Sequence, residues 1–477
     1  MYARQTNTDP LPQRIHLVGI GGIGLSAIAR VLAMRGHVVS GSDLQDTPIL
    51  EGLRALGVTT YQGHAAHQVG DAELVVMSSA VPEDNPEVIA ARAAGVEVLK
   101  RQAFMARLLA GYRTIAVAGT HGKTTTSAMI ATILETAGLA PSFIIGGIVA
   151  EWGTNAKAGN GDWFVIEADE YERMFHGLSP TVAVVTNIEM DHPDCYRSLE
   201  EMREAFAIFV QGISQDGCLV ACTDSPELMR VLRGLWQGRQ DVEAVTYGHK
   251  AADYTVSNMA ANAWGGVNGE IIYRGKELAR LHLRVPGEHN LLNATAAWLT
   301  ARRCGVDGEL AAKALATFRG VRRRFEFKGE AGGVLVIDDY AHHPTEIRAT
   351  LAAARWRYPQ QRLWAVFQPH TYSRTEALFD EFTRAFDGAD RVIIADIYAA
   401  RAKERPTVSA QDLVAAMEHT GASYGGSPEQ ILAELLADLR PGDVLLTMGA
   451  GDGYLVGERV LTELAKREGD GGLGSVE

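Results

Sequence analysis

The sequence is poor in cysteine. Its four cysteines, Cys195, Cys218, Cys222 and Cys304, form no C-x-x-C arrangement, so reduced, buried thiols are expected rather than a disulfide scaffold. Positive charge is also short: 45 lysines and arginines face 58 acidic residues, a net charge of −13, which argues against a nucleic-acid surface and for a soluble cytosolic protein. No apolar run is long enough to span a membrane, and the N-terminus lacks the basic-then-apolar layout of a signal peptide. There are no internal repeats and no low-complexity tract beyond a glycine-rich tail, expected to fray after Arg467. What remains is ordinary globular material, 47% apolar and 22% charged, in a chain of 477 residues that is too long for one core; three domains are expected.

The chain is organised around the stretch from Thr114 to Gly138. An apolar run, Ile115 to Ala118, breaks at Gly119, and Gly122-Lys123-Thr124 then opens a segment of helical periodicity through Ala128, Ile130, Ile133 and Leu134. Strand, glycine loop and helix start together make a phosphate cradle, because the free amides and positive dipole end of a helix favour an oxyanion. Lys123 supplies a cation for the outer phosphates of a nucleoside triphosphate, and the Thr124 hydroxyl is placed to ligate Mg²⁺. The usual pattern wants a glycine six residues before the lysine, where this chain has Val117.

Before this stretch, an apolar strand from Arg14 runs into Gly19-Ile20-Gly21-Gly22-Ile23-Gly24. A helix and a second strand, ending at Asp43, follow. That satisfies a dinucleotide fingerprint, in which Gly19, Gly21, Gly22 and Gly24 cradle a pyrophosphate and an acid stands about twenty residues on. NAD, FAD and UDP would all fit such a cradle. Further apolar runs at 73–78 and 96–99 predict a parallel doubly wound sheet, and His64 in its Gln62-Gly63-His64 loop reads as a solvated histidine.

After the central loop, the buried-strand run from Asp162 to Glu170 ends in acids. Glu167 is the first choice for a Mg²⁺ ligand and Asp169 the reserve. A strand over 181–186 leads into Asn187-Ile188-Glu189-Met190-Asp191-His192, where a metal ligand or catalytic base would again sit at a strand's carboxyl end. Pro286 to Ala294 starts a helix on which His289, Asn290 and Asn293 offer hydrogen bonds about one turn apart. Arg322-Arg323-Arg324 is either a solvated run or a source of charge for a transferring phosphate. Strands ending at Asp338-Asp339 and Phe367 lead into loops carrying Tyr340, His342 and His343, and His370, Tyr372 and Arg374, which suggests one shared crevice.

In this order GTHGKTTT (119–126), EADE (167–170), DHPD (191–194), PGEHNLLNATAA (286–297), RRFE (323–326), DDYAHHPTE (338–346) and FQPHTYSRT (367–375) resemble the Mur ligases, most closely their alanine-adding members, over essentially the whole chain. The resemblance implies an α/β protein of three domains. These are a Rossmann-like UDP-sugar domain (1–111), a central P-loop-type ATPase domain (112–321) and a C-terminal Rossmann-like domain (322–477). The implied reaction is ATP-dependent joining of L-alanine to the carboxylate of UDP-N-acetylmuramate through an acyl phosphate, a step of peptidoglycan precursor synthesis, in a cytoplasmic monomer or weak homodimer with no membrane or nucleic-acid partner. It further implies that Gly119, Thr120, His121, Gly122, Lys123, Thr124 and Thr125 hold ATP, and that Thr124, Glu167 and His192 ligate Mg²⁺. His289, Asn290 and Asn293 would read the adenine end, while Arg324 and Asp338 or Asp339 close over the nucleotide. Tyr340, His342 and Arg374 would line the amino-acid pocket, with a base near His342 and Arg374 pairing with alanine's carboxylate. The glycines at 19–24, with Asp43 and His64, would face the UDP-sugar.

The chain departs from the family pattern in three places. Thr371 stands where arginine is common, Glu376 where another basic residue is, and 202–206 lacks the lysine that several sister ligases carry. Two other activities compete: a recycling ligase that adds a preformed peptide to the same sugar nucleotide, and an NAD-dependent oxidoreductase resting on Gly19 to Asp43.

Overall fold

The computed structural model describes residues 11–235, 239, 241–400 and 408–471, in two compact units. One holds the described residues up to Ile188 with Arg203–Tyr254 and Thr295–Ala314; the other holds Glu189–Met202, Thr255–Ala294 and the described residues from Leu315 onward.

The first unit contains a five-stranded sheet in the order Thr59–Gln62, Val38–Asp43, Arg14–Val18, Leu74–Met77, Glu97–Lys100, parallel throughout. Leu74–Met77 is buried along its whole length, as a strand covered by helices on both faces must be. The order reverses between Arg14–Val18 and Leu74–Met77, so the loops after these two strands flank the crevice where such sheets bind ligands. A second sheet in this unit runs Thr154–Lys157, Ser142–Val149, Trp163–Glu167, Arg113–Ala118, Val182–Val185, Cys218–Cys222, Glu243–Gly248. The first pair is antiparallel and the rest are parallel. The carboxyl ends of three neighbouring strands, at Ala118, Glu167 and Val185, therefore lie side by side.

In the second unit, a six-stranded sheet has the order Glu326–Ala331, Val334–Asp339, Val444–Met448, Leu363–Phe367, Arg391–Ala395, Ala422–Gly426. An antiparallel hairpin at one edge continues into parallel strands. Leu363, Ala365 and Phe367 enter one core with Phe382 and Phe386, while Trp364 and Val366 enter another with Ile431, Leu435, Val456 and Val460. Alternate side chains of one strand thus feed two cores, which is why the run reads as continuously apolar. This unit also holds the strands Val267–Tyr273 and Lys276–His282, paired antiparallel. The sequence reading had no strand there, because the second is polar and mostly exposed and leaves no apolar run to detect.

Two smaller expectations change. The last helix, Tyr454–Gly471, continues past Arg467, whose guanidinium donates to the Leu436 carbonyl while the Glu468 carboxylate accepts from the Gly332 amide; the rest of the glycine-rich tail expected to fray lies outside the described residues. All four cysteines are free, but only Cys218 and Cys222 are buried. No helix among the described residues is long and apolar enough to cross a membrane.

Candidate active site

The central loop begins where Arg113–Ala118 ends. Val117 is fully buried in the strand interior, opposite Glu167 and Val184, so a glycine there would weaken the sheet and the loop proper starts at Gly119. Gly119 has φ 139°, and a β-carbon added there would collide with the Thr186 hydroxyl; Gly122 has φ 83° and precedes the helix Lys123–Thr136 as its N-cap. The loop is clamped from the next strand. Asn187 accepts from the Thr120 amide with its carbonyl (3.1 Å) and from the His121 amide with its side chain (2.9 Å). Thr186 Oγ1 and Asn187 Nδ2 both donate to the His121 carbonyl. By helix geometry the amides of Lys123, Thr124 and Thr125 have no intrahelical acceptor, and so they face outward as an anion cradle.

Lys123 Nζ folds back over this cradle, donating to the Gly119 carbonyl (2.6 Å), the Thr120 carbonyl (3.1 Å) and Glu170 (2.8 Å). Burial alone would push the ammonium's pKa down, but the carboxylates of Glu170, Asp169 and Glu167 outweigh it and hold the value above the ordinary lysine range. Thr124 Oγ1 donates to Glu167 Oε1 (3.0 Å), and the other Glu167 oxygen accepts from the Gly146 amide (2.6 Å). Burial raises the Glu167 pKa despite Lys123 and those two donors. A half-buried carboxylate beside a threonine hydroxyl, short of positive charge, is the oxygen donor set that Mg²⁺ prefers.

The other glycine loop follows Arg14–Val18. The Gly19 and Ile20 amides both donate to the Ser42 carbonyl, and the Gly21 amide donates to Asp43 Oδ2 (2.9 Å). Asp43 thus fastens the loop directly, and a side chain at Gly21 would collide with its carboxylate. Below Ser42 lies a buried network that the sequence reading missed. Glu87, fully buried, accepts from His16 Nε2 (2.6 Å), the Ser42 hydroxyl (2.7 Å) and His64 Nδ1 (2.8 Å). Burial would raise its pKa, but these three donors hold it below the ordinary glutamate value. His64 is therefore an ordered, half-buried member of this network, not a solvated loop residue.

The second unit gathers the remaining candidates. Arg374 and Asp191 form a buried ion pair, Nε to Oδ1 at 2.8 Å, and the guanidinium also contacts His370 Nδ1 at 3.2 Å. Burial would raise the Asp191 pKa, yet Arg374, His192 and His342 hold it well below the ordinary aspartate range. His192 lies 3.7 Å from the Asp191 carboxylate and has φ 52°. Thr371 (φ 66°), Arg323 (φ 61°) and Phe325 (φ 50°) share that positive φ, which non-glycine residues adopt only where the surroundings enforce it. Thr371 also caps the helix that carries Arg374, its hydroxyl accepting from the Arg374 amide, so a threonine positions the helix where an arginine is usual. Glu376 faces solvent on the same helix.

His342 Nδ1 lies 2.9 Å from the Tyr340 carbonyl, which only accepts, so Nδ1 carries the proton. Burial pushes its pKa down to about 3. It is neutral near pH 7 and receives a hydrogen bond better than a proton. Asp338 is buried between Arg323 (3.0 Å) and the Thr447 hydroxyl (2.9 Å), and Asp339 accepts from the Phe325 and Ala341 amides, both at 2.7 Å. Burial lifts Asp339 to about 6. Both acids tie the 323–326 turn to the sheet. Arg324 instead lies 3.7 Å from Glu346 and stacks over Tyr340 at 5.0 Å. At the start of the helix Glu288–Arg303, Asn290 donates to the Pro286 carbonyl and accepts from Asn293, both buried, with His289 exposed beside them.

Three of the predicted residues, Lys123, Thr124 and Glu167, thus meet in one loop system, and Arg374, His342 and His192 surround Asp191 in the other unit. Glu170, Asn187, Glu87 and Asp191 had no assigned role in the sequence reading. The signal for Glu170 was its place one residue beyond Asp169 in EADE.

Three family descriptions match the chain in succession: Mur ligase family, catalytic domain, over residues 14–113; Mur ligase middle domain over 117–301; and Mur ligase, glutamate ligase domain, over 323–451. With its phosphate loop and its three sheets, the chain belongs to the Mur ligase family. It is similar to the UDP-N-acetylmuramate–L-alanine ligase of Nitratidesulfovibrio vulgaris, 44% identical over 448 residues, covering 93% of this chain and 97% of the relative. The same-named ligase of Syntrophobacter fumaroxidans is 42% identical over 470 residues, 98% of this chain and 99% of the relative. Among solved structures, the UDP-N-acetylmuramate–alanine ligase of Thermotoga maritima superposes with a TM-score of 0.80 at 30% identity, covering 95% of this chain and 99% of that one. A murein peptide ligase from Psychrobacter arcticus gives 0.69 at 25% identity, with coverage of 95% and 99%.

Proposed function

We propose that this protein joins L-alanine to the carboxylate of UDP-N-acetylmuramate at the expense of ATP, a step of peptidoglycan precursor synthesis. The observation that carries the proposal is the Gly119–Thr124 cradle, with Lys123 held by Glu170 and Thr124 paired with Glu167. The substrate carboxylate attacks the γ-phosphorus, the bond to the bridging oxygen of ADP breaks, and an acyl phosphate results. The alanine ammonium gives up a proton to water, the free amine adds to the acyl carbon, the adduct's nitrogen loses a second proton, and phosphate leaves from the tetrahedral adduct as the amide forms. Carboxylate and triphosphate repel each other, so cations must offset both. Lys123 exchanges its loop carbonyls for the transferring phosphoryl group. Thr124 and Glu167 are suited to hold Mg²⁺, with His192 contributing to a second ion; bound there, Mg²⁺ supplies charge neutralisation on the phosphates.

His342, neutral with its proton on Nδ1, accepts a hydrogen bond from the incoming amine and orients it. Arg374 receives alanine's carboxylate while Asp191 fixes the guanidinium. His289, Asn290 and Asn293 read the nucleotide's adenine end, Arg324 and Asp338 or Asp339 close over the nucleotide, and Gly19 to Gly24 with Asp43 and His64 face the UDP-sugar. Domain limits near 111 and 321, a cytoplasmic location and a monomer or weak homodimer go with this reading.

The test is phosphate release with ATP and Mg²⁺ while the acceptor and amine are varied. Release requiring both UDP-N-acetylmuramate and L-alanine, and faster than with glycine, L-serine or a preformed tripeptide, is expected. Release that ignores the amino acid, or prefers the tripeptide, overturns it.

A further inference from the structure

Glu170 meets the Lys123 ammonium with both carboxylate oxygens, Oε2 at 2.8 Å and Oε1 at 3.0 Å, and is 1% exposed. Together with the Gly119 and Thr120 carbonyls it answers all three protons of the ammonium. A phosphate oxygen can therefore reach Lys123 only by displacing a protein group. Two of those groups are neutral carbonyls. The third carries the same sign of charge as the phosphate.

The backbone is bent to place it there. Just after Glu170, Glu172 (φ 51°, ψ 23°) and Arg173 (φ 56°, ψ 32°) are left-handed in succession, a costly conformation for residues with a β-carbon. The kink is held from both sides. The Arg173 amide donates to the Glu170 carbonyl at 2.9 Å, and the Arg173 carbonyl accepts from the Gln102 side chain at 3.1 Å. Two residues on, Phe175 is fully buried against Phe206 and Phe209. A turn enforced in this way fixes where the Glu170 carboxylate sits.

We propose that Glu170 is a positioning residue that stands in for the γ-phosphate at Lys123, so that ATP must displace a carboxylate, along with the loop carbonyls, to engage the ammonium. The proposal rests on the reading of Gly119–Thr124 as the ATP cradle. ADP lacks the group that competes and leaves the pair intact. Glu170 therefore lowers affinity for the triphosphate without changing affinity for the diphosphate. A lysine already answered by a carboxylate adds little ground-state affinity for ATP. Its charge counts once the transferring phosphoryl group has displaced Glu170, which keeps binding energy out of the ground state.

The experiment is calorimetric titration of the full chain, with Mg²⁺ present, by ADP and by the non-hydrolysable β,γ-imido analogue of ATP, alongside steady-state phosphate release. Glu170→Gln should bind the triphosphate analogue roughly ten-fold more tightly, with ADP affinity within about two-fold of wild type. The KM for ATP should fall with it and kcat should not rise. Glu170→Asp, which keeps the charge but shortens the reach, should lie between the two, and it carries the test alone if the glutamine variant does not fold. A carboxylate that only braces the fold requires both nucleotides to bind more weakly in both variants, and that result overturns the assignment. So does an equal change for ADP and the triphosphate, or an unchanged triphosphate affinity. Wild type that binds neither nucleotide sinks instead the reading of the loop.

Discussion

The two glycine loops of the first unit have the same local form, a buried parallel strand, a turn at a left-handed glycine and a helix start, yet they are charged in opposite ways. Around Gly19–Gly24 the loop amides are tied to the Ser42 carbonyl and to Asp43, and the buried acid beneath, Glu87, is saturated by three donors and held ionised. Around Gly119–Thr124 a lysine stands within the loop and the half-buried acid beside it, Glu167, is short of positive charge. The first is finished without metal and suits a pyrophosphate that is held and not broken. The second holds a lysine that Glu167 shares with two other acids, and it suits a triphosphate whose terminal group leaves. On the proposed function, one backbone motif serves for holding or for transfer according to which side chains surround it.

That contrast breaks most visibly at Lys123. Lys123→Ala should lower the rate of ADP formation by roughly a hundred-fold or more while leaving UDP affinity unchanged, measured by coupled assay and calorimetry. A variant that weakens both nucleotides equally would mean the loops do not act separately. Glu87→Gln comes next. It leaves His16, His64 and Ser42 facing a neutral acceptor and should cost about 1–3 kcal/mol at pH 7 by denaturant unfolding. The folded-state pKa of Glu87 lies below its unfolded value, so its stabilisation is present above the ordinary glutamate range and lost as pH falls through the folded pKa. The gap between wild type and variant should close in acid. The smallest effect is at Glu167, where the sign reverses. Its folded pKa is raised, so metal-free protein should lose stability as pH rises through and above the ordinary glutamate range. Glu167→Gln should flatten that slope, gain under about 1 kcal/mol without Mg²⁺, and lose the stabilisation that Mg²⁺ gives wild type. Equal pH slopes for Glu87→Gln and Glu167→Gln would remove the distinction drawn between the loops.

Much of this was legible in the chain. Arg14–Val18 and Arg113–Ala118, the glycines after them and the helices that follow are local patterns, set by apolar runs and left-handed turn positions. In the third sheet the strands Val334–Asp339 and Leu363–Phe367 were legible for the same reason, while Ala422–Gly426 had no strand assigned. The strand Lys276–His282 was not, because mostly exposed strands carry no core signal. Among the acids, EADE placed carboxylates at a strand end but could not distribute them. Glu167 faces Thr124, Glu170 takes Lys123 and Asp169 faces Arg101, an assignment fixed by the direction each side chain leaves the backbone. RRFE likewise did not reveal that Arg323 locks Asp338 while Arg324 turns toward Glu346.

The sequence by itself determined where the chain bends and which loops precede helices, since those depend on neighbours a few residues apart. Only the tertiary structure decided which charges are answered: His16, Ser42 and His64 meet at Glu87, and Arg374 reaches Asp191 across 183 residues of chain. A carboxylate's protonation and strength depend on burial and on partners brought by distant strands, and no local pattern carries that information.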